Sequence, residues 1–185
     1  MFQLPVDDDI TLVLAEERHA QRVTELIVRN QPRLARWEPW AEQPQTVDGT
    51  RAYIRASLED FIRGRQVSTI IALDGGRTFI GRCGLRINPY AGSADVGYWV
   101  DGAYEGRGLV RRATQALVDL AFGELAMNKV DLRTSIDNTR SRGLAERLGF
   151  RLEGTLPGGL RFVNRNDDVA LYSVGGTDWA KLRGC

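Results

Sequence analysis

The stretch Val96-Gly-Tyr-Trp-Val-Asp-Gly-Ala-Tyr-Glu-Gly-Arg-Gly-Leu-Val-Arg-Arg-Ala113 constrains this chain more than any other. An extended segment ends near Val100, and a turn containing Gly106 and Gly108 follows. From about Gly108, Leu109, Ala113, Ala116, Leu117, Leu120 and Ala121 recur on one helical face. Glycines at 106 and 108 permit a left-handed backbone and let main-chain amides turn toward a ligand. The helix behind them adds N–H groups without a helical partner and the positive end of its dipole. With Arg107, Arg111 and Arg112 close by, the turn suits a phosphate or pyrophosphate. Taken alone, the segment fits an ordinary strand-to-helix connection with a basic first turn equally well. A dinucleotide fingerprint is disfavoured because its third glycine falls on Arg111. A P-loop is disfavoured too: Gly76 and Gly81 have the spacing, but Arg82-Cys83 follows.

Around this turn the chain alternates short strands with helices. Ile10–Leu14 is apolar and predicts a strand. Glu16 and Glu17 open a helix to about Asn30, with Ala20, Val23 and Ile27 at helical spacing and Pro32 as its stop. After an irregular Gln31–Gln45, a second helix is predicted from Val47 to Arg63, with Ile54, Leu58, Phe61 and Ile62 inward and Gly64 as its cap. Val67–Leu73, Phe79–Ile87 and Ala94–Val100 predict strands, the first two joined at Asp74-Gly75-Gly76. Lys129–Ile136 reads as a strand. Asn138–Leu148 reads as a helix capped by Asn138 and stopped by Gly149-Phe150. Two last strands are expected near Arg151–Thr155 and Asp168–Val174. Seven strands and four helices in this order imply a mixed α/β sheet with helices on both faces. No repeat or long linker interrupts it, so residues 1–185 are read as one domain.

The 185 residues carry a net charge of +1, which supplies no general attraction to nucleic acid or to an anionic membrane. No apolar run approaches the roughly 20 residues of a membrane span. The acidic start, Asp7-Asp8-Asp9, lacks a basic-then-apolar signal pattern, so a cytoplasmic location is expected. Cys83, Cys185 and the single His19 cannot build a four-ligand zinc site, and no metal is expected. The aspartates at 7–9 and 167–168 lack calcium-loop spacing and read as solvated.

Tyr98-Trp99-Val100 followed by Tyr104-Glu105-Gly106-Arg107-Gly108-Leu109 resembles the cofactor motif of the GNAT acetyltransferases, written [Q/R]-x-x-G-x-[G/A]. Asp137-Asn138-Thr139-Arg140-Ser141 with Leu148-Gly149-Phe150 is similar to the N-x-x-S…GF signature of the RimJ/RimL branch. Trp37-Glu38-Pro39-Trp40 is similar to that branch's W-x-P-W loop, and Gly154 with Asn164 to Asp168 fits its C-terminal hairpin. The resemblance spans nearly the whole chain. It implies a mostly antiparallel mixed sheet of six to seven strands flanked by about four helices. It also implies acetyl-CoA as co-substrate and an amine acceptor, in the best-known members of the branch a protein N-terminus. A small amine (polyamine or aminoglycoside) and a catalytically weak acyl-CoA-binding module are the alternatives. The oligomeric state is left open, a homodimer included.

By the resemblance, Tyr98, Trp99, Val100, Glu105, Gly106, Arg107, Gly108, Leu109, Val110, Arg111 and Asn138 would contact the cofactor. Backbone amides around Tyr98–Val100 could also stabilise a tetrahedral oxyanion. Two residues depart from the motif: Glu105 puts an acid beside the pyrophosphate, and Val110 crowds the turn. Ser141 would donate to the leaving sulfur, or only satisfy the start of its own helix; Asn138 would cap with a secondary ligand contact. Asp95 is either a base acting through water or a solvated strand position. Trp37 and Trp40 wall the acceptor pocket, cover the core, or both. Arg29, Arg33, Arg36 and Arg51 attract an acidic substrate or are merely solvated. The glutamate that close RimL relatives carry in the hairpin corresponds to Leu160, which cannot act as a base.

Overall fold

The computed structural model describes residues 3–184; Met1, Phe2 and Cys185 lie outside the described residues. Eight strands form one sheet in the order β1-β2-β3-β4-β5-β6-β8-β7. They are β1 (Gln3–Pro5), β2 (Thr11–Leu14), β3 (Gln66–Leu73), β4 (Thr78–Asn88), β5 (Ser93–Val100), β6 (Lys129–Ser135), β7 (Arg151–Arg161) and β8 (Asn166–Gly175). Five α-helices accompany them: α1 (Ala20–Leu34), α2 (Val47–Ile62), α3 (Leu109–Phe122), α4 (Thr139–Arg147) and α5 (Gly176–Arg183). The expected mixed sheet is present, with β1 and α5 in addition. β1 holds only three residues and pairs only with β2, too short a segment for a period-2 pattern to register.

Alternation along the strands sorts the core into two layers. Leu12, Ile71, Leu85, Val96 and Leu132 join α3, α4 and α5 on one face. Val13, Ile70 and Ala72 join α1 and α2 on the other, with Trp99 packed alongside. α1 runs on through Pro32 to Leu34, so the predicted stop is corrected. Proline removes the bond to the carbonyl four residues back, Val28; both residues are exposed, so water can solvate that oxygen. Ile62 is corrected as well: it is 84% exposed. At about 100° per residue it lies well off the line through Ile54 and Phe61, and Thr50 and Ser57 fill inner positions instead. The α4 stop is as read. Phe150 N–H donates to Ala145 O at 3.0 Å and Gly149 N–H to Glu146 O at 3.0 Å, with Gly149 at φ 86°.

His19 is buried below α1, edge-on to the Phe79 ring at 5.3 Å, and its Nδ1 accepts from the Glu16 N–H at 3.2 Å. Burial holds its pKa below the ordinary 6.5. A group that must stay neutral to remain buried costs stability once the unfolded chain starts to bind a proton there. Stability therefore falls as pH drops below about 6.5. His19→Gln should remove that part of the slope, read as the difference in Tm between the two proteins from pH 7.5 to 5. Parallel curves would refute it.

Candidate active site

β5 and β6 are the sheet's parallel neighbours, and they stay paired for three positions only: Ser93 with Lys129, Ala94 with Val130, and Asp95 with Asp131. Beyond Asp95 and Asp131 the strands part. Each runs into a helix N-terminus, β5 through residues 101–108 into α3, and β6 through residues 136–138 into α4. A crevice between diverging parallel strands, floored by two helix starts, is where open α/β sheets place ligands. Tyr98, Trp99 and Val100 lie on the open edge of β5, where main-chain groups are no longer used by β6.

Gly106 (φ 76°) and Gly108 (φ 71°) are both left-handed, and a Cβ built on either would meet nothing within 4 Å. The first turn-closing bond of α3 runs from Arg112 N–H to Gly108 O at 3.2 Å. The amides from Leu109 to Arg111 therefore lie ahead of the helix ladder, beside an open space. Such a cradle fits the pyrophosphate of acetyl-CoA. Arg107 and Arg111 are exposed beside it, Arg107 stacking at 5.2 Å from the Tyr104 ring. Arg112 is not free to join them; Asp7 and Asp9 hold it at 2.7 and 3.2 Å.

Both departures from the motif are accommodated. The carboxylate of Glu105 is paired through one oxygen with Arg33 and through the other with Arg140. Two guanidiniums thus offset the charge that would repel a diphosphate. Val110 packs its side chain against the core beneath α3 and does not crowd the turn. Arg33 also donates to Val100 O, and to Asn30 Oδ1 at 3.1 Å. That same Asn30 oxygen accepts from Gly102 N–H at 3.0 Å. Arg29 pairs with Asp101, whose Oδ1 accepts from Ala103 N–H at 3.1 Å. The end of α1 therefore braces the loop, a role for Arg29 and Arg33 that charge counting does not reveal.

At the other wall, Asn138 Oδ1 accepts from Ser141 N–H at 3.1 Å and caps α4. This aims Ser141 back across the crevice, where its Oγ meets the Tyr98 hydroxyl at 2.9 Å. Burial pushes the Tyr98 phenol well above its ordinary pKa of 10, so it is a protonated group that can donate. Sequence reading made Tyr98 a cofactor contact and gave its hydroxyl no role of its own. Alternation with Val96 and Val100 was the available signal, since it puts the Tyr98 side chain on the α3 and α4 face.

On the opposite face, a one-turn helix of residues 39–42 carries Trp40, and the loop before it carries Trp37 and Glu38. Trp40 is 41% exposed and donates from Nε1 to Glu38 Oε2 at 2.9 Å. Trp37 is partly buried beneath Arg36, 4.6 Å from its ring. The β7–β8 hairpin closes over this loop: Val163 N–H donates to Glu42 at 2.7 Å and Arg165 to Arg36 O at 2.6 Å. Leu160 stands opposite Asp167 in that hairpin, and Asp167 is paired with Arg165 at 2.9 Å. Asp95, at the last paired position below the crevice, is held by Arg133 at 2.9 Å. A base there would have to compete with that guanidinium for its lone pair.

The model of the Acetyltransferase (GNAT) domain matches residues 9–151. The putative ribosomal N-acetyltransferase YdaF of Bacillus subtilis (strain 168) is 33% identical over 184 residues, covering 97% of this chain and 98% of that protein. The ribosomal-protein-serine acetyltransferase of Escherichia coli (strain K12) is 28% identical over 171 residues, covering 92% and 94%. A crystal structure of a probable acetyltransferase superposes with a TM-score of 0.91 at 31% identity, covering 97% of this chain and 99% of the other. A RimL structure in complex with coenzyme A shares the fold at a TM-score of 0.89 and 23% identity, covering 94% and 98%. With the splayed strands, the glycine bend and these matches in agreement, the chain belongs to the GNAT acetyltransferase family and is an N-acetyltransferase that draws its acetyl group from acetyl-CoA.

Proposed function

We propose that this enzyme acetylates the N-terminal α-amine of a protein, binding acetyl-CoA along the open edge of β5 and the 105–111 bend. The observation that carries the choice of acceptor is the state of the acids around the crevice. Asp95 and Asp167 are paired with Arg133 and Arg165, and Glu38, which is in no ion pair among the described residues, is one carboxylate where a multiply charged polyamine or aminoglycoside would need several. Two relatives are named for action on ribosomal proteins, which supports a protein acceptor. An α-amine, with pKa about 8, is also easier to deprotonate near neutrality than a lysine-like amine at about 10.4.

Acetyl-CoA supplies a thioester whose carbonyl the neutral amine attacks. Leu109 to Arg111 hold the diphosphate through main-chain amides, and Arg107 adds charge. Ser141, ordered by Asn138 and bonded to Tyr98, donates to the departing sulfur. The leaving thiolate resembles that of cysteine, pKa about 8.5, so modest assistance suffices. Trp37 and Trp40 wall the acceptor side. Both substrates and the product amide belong to the cytoplasm, where protein synthesis exposes new N-termini, and we place the enzyme there.

Thiol release from acetyl-CoA measured against N-terminal peptides, spermidine and an aminoglycoside decides the acceptor. Turnover is expected with peptides bearing a free α-amine and not with their N-terminally blocked forms. Turnover with spermidine or the aminoglycoside alone would overturn the proposal.

A further inference from the structure

We propose that Glu38 is the base that takes the proton from the acceptor amine, in place of the hairpin carboxylate that Leu160 cannot supply. The inference rests on amine acetylation as proposed above and goes on to name the group that makes the amine a nucleophile.

Its first support is access. In β4 and β5, Gly84 and Gly97 stand opposite each other, on the α1 and α2 face. Gly84 has a packing reason, since an added Cβ would come within 2.7 Å of Val67 O. Gly97 has none: an added Cβ meets nothing within 4 Å, and the residue is exposed in the middle of an eight-stranded sheet. The strand surface is bare where β5 has left β6, and Arg82 with Trp99 and Arg86 with Asp95 flank it in register. An amine approaching the open edge of β5 from this face crosses Gly97.

The second support is availability. Around the crevice, Asp95, Asp101, Glu105 and Asp167 each sit in an ion pair with an arginine, Glu42 accepts from the Val163 main chain, and the exposed Asp137 belongs to the other wall, just before α4. Glu38 is in none of the ion pairs among the described residues. The Trp40 indole N–H orients it through Oε2, and Oε1 has no protein hydrogen-bond partner among the described residues. The charged and titratable groups around it are Arg86 of β4, which favours its ionised form, and the Tyr98 phenol of β5, on which its charge acts. Glu42 lies on its own loop and Arg165 on the hairpin above. Burial, outweighing Trp40 and Arg86, lifts its pKa above the ordinary 4.5. That makes it a stronger base than a solvated carboxylate.

The step balances simply. Glu38 takes one proton from the ammonium form of the acceptor and passes it to solvent, and the freed nitrogen lone pair forms the new C–N bond. The nitrogen of the tetrahedral adduct then gives its second proton to Glu38, and the C–S bond breaks. The sulfur takes a proton from the Tyr98–Ser141 hydroxyl pair, to which Glu38 returns the second proton through solvent, so that one proton ends on the thiol and one in solvent.

The test uses the full-length enzyme with acetyl-CoA and a peptide bearing an N-terminal serine. Glu38→Gln keeps an oxygen for Trp40, so Tm should hold. We expect kcat at pH 7 to fall about 100-fold while KM for acetyl-CoA stays within twofold. The low-pH limb that Glu38 gives to the profile of kcat/KM should disappear. In the variant the rate should climb about tenfold per pH unit until the amine loses its own proton near pH 8. Trp40→Phe removes the orienting donor and keeps an aromatic ring on the acceptor wall. Read at saturating peptide, it should give an intermediate loss of kcat and a weakened low-pH limb, and it decides the matter if the glutamine variant proves unstable. A kcat within threefold of wild type and an unchanged low-pH limb in either stable variant would overturn the assignment of Glu38. A wild type that turns over no amine would instead overturn the function proposed above.

Discussion

Gly108→Val is expected to raise the dissociation constant for acetyl-CoA by about 100-fold or more, with little change in Tm. Gly108 sits at φ 71° and ψ 3°, immediately before α3. A β-branched residue there is a genuine outlier, and holding it in place costs about 1–3 kcal/mol. The bend is exposed and packs little, so the chain escapes the strain by rotating the peptide units on either side of it. That rotation turns amides away from the diphosphate, and each charge-assisted hydrogen bond lost is worth about 1.5–3 kcal/mol. One such bond plus residual strain reaches about 2.7 kcal/mol, a factor of 100. Gly108→Ala, with no branch at Cβ, should fall between wild type and valine. Calorimetric titration with acetyl-CoA reads both. Wild-type affinity in the valine variant would mean that the diphosphate binds elsewhere.

Removing the two hydroxyls that meet across the crevice should be the largest purely catalytic effect. Tyr98→Phe combined with Ser141→Ala is expected to lower kcat by about 100-fold, the low end of what proton transfer contributes, because a thiolate leaves readily. KM for acetyl-CoA should move less than twofold. The 2.9 Å bond between the two side chains implies that they work as a unit. Each single variant should then lose nearly as much as the double, and the deficits should not multiply. Phenylalanine keeps the packing of Tyr98 against the core beside α4, and Asn138 still caps the helix in Ser141→Ala. Loss of activity by unfolding would show in Tm. Wild-type kcat in the double variant would remove both hydroxyls from the reaction.

Much of the frame was legible because it is written in local rules. The strand-turn-helix at Val100–Leu109 needed only glycine spacing and one apolar helical face, and both its left-handed glycines lie where that spacing put them. The Asn138 cap and the Gly149 stop are likewise matters of a few consecutive residues. Glu105 shows where such reasoning ends. Seen along the chain it is an acid beside a phosphate site, but Arg33 lies 72 residues away and Arg140 35 residues away, and together they neutralise it. The same distance in sequence concealed the link between Arg112 and the acidic stretch at Asp7 and Asp9.

The sequence by itself determined the order of the main elements, the glycine bend before α3 and the family, because backbone conformation and amphipathic faces depend on neighbours a few residues apart. The tertiary structure alone decided which charges cancel, which hydroxyl faces Ser141 and which carboxylate stays unclaimed. Those depend on the parting of β5 from β6 and on what α1 and the hairpin carry across the gap. An electrostatic partner is chosen by distance in space, and no spacing along a chain encodes that distance.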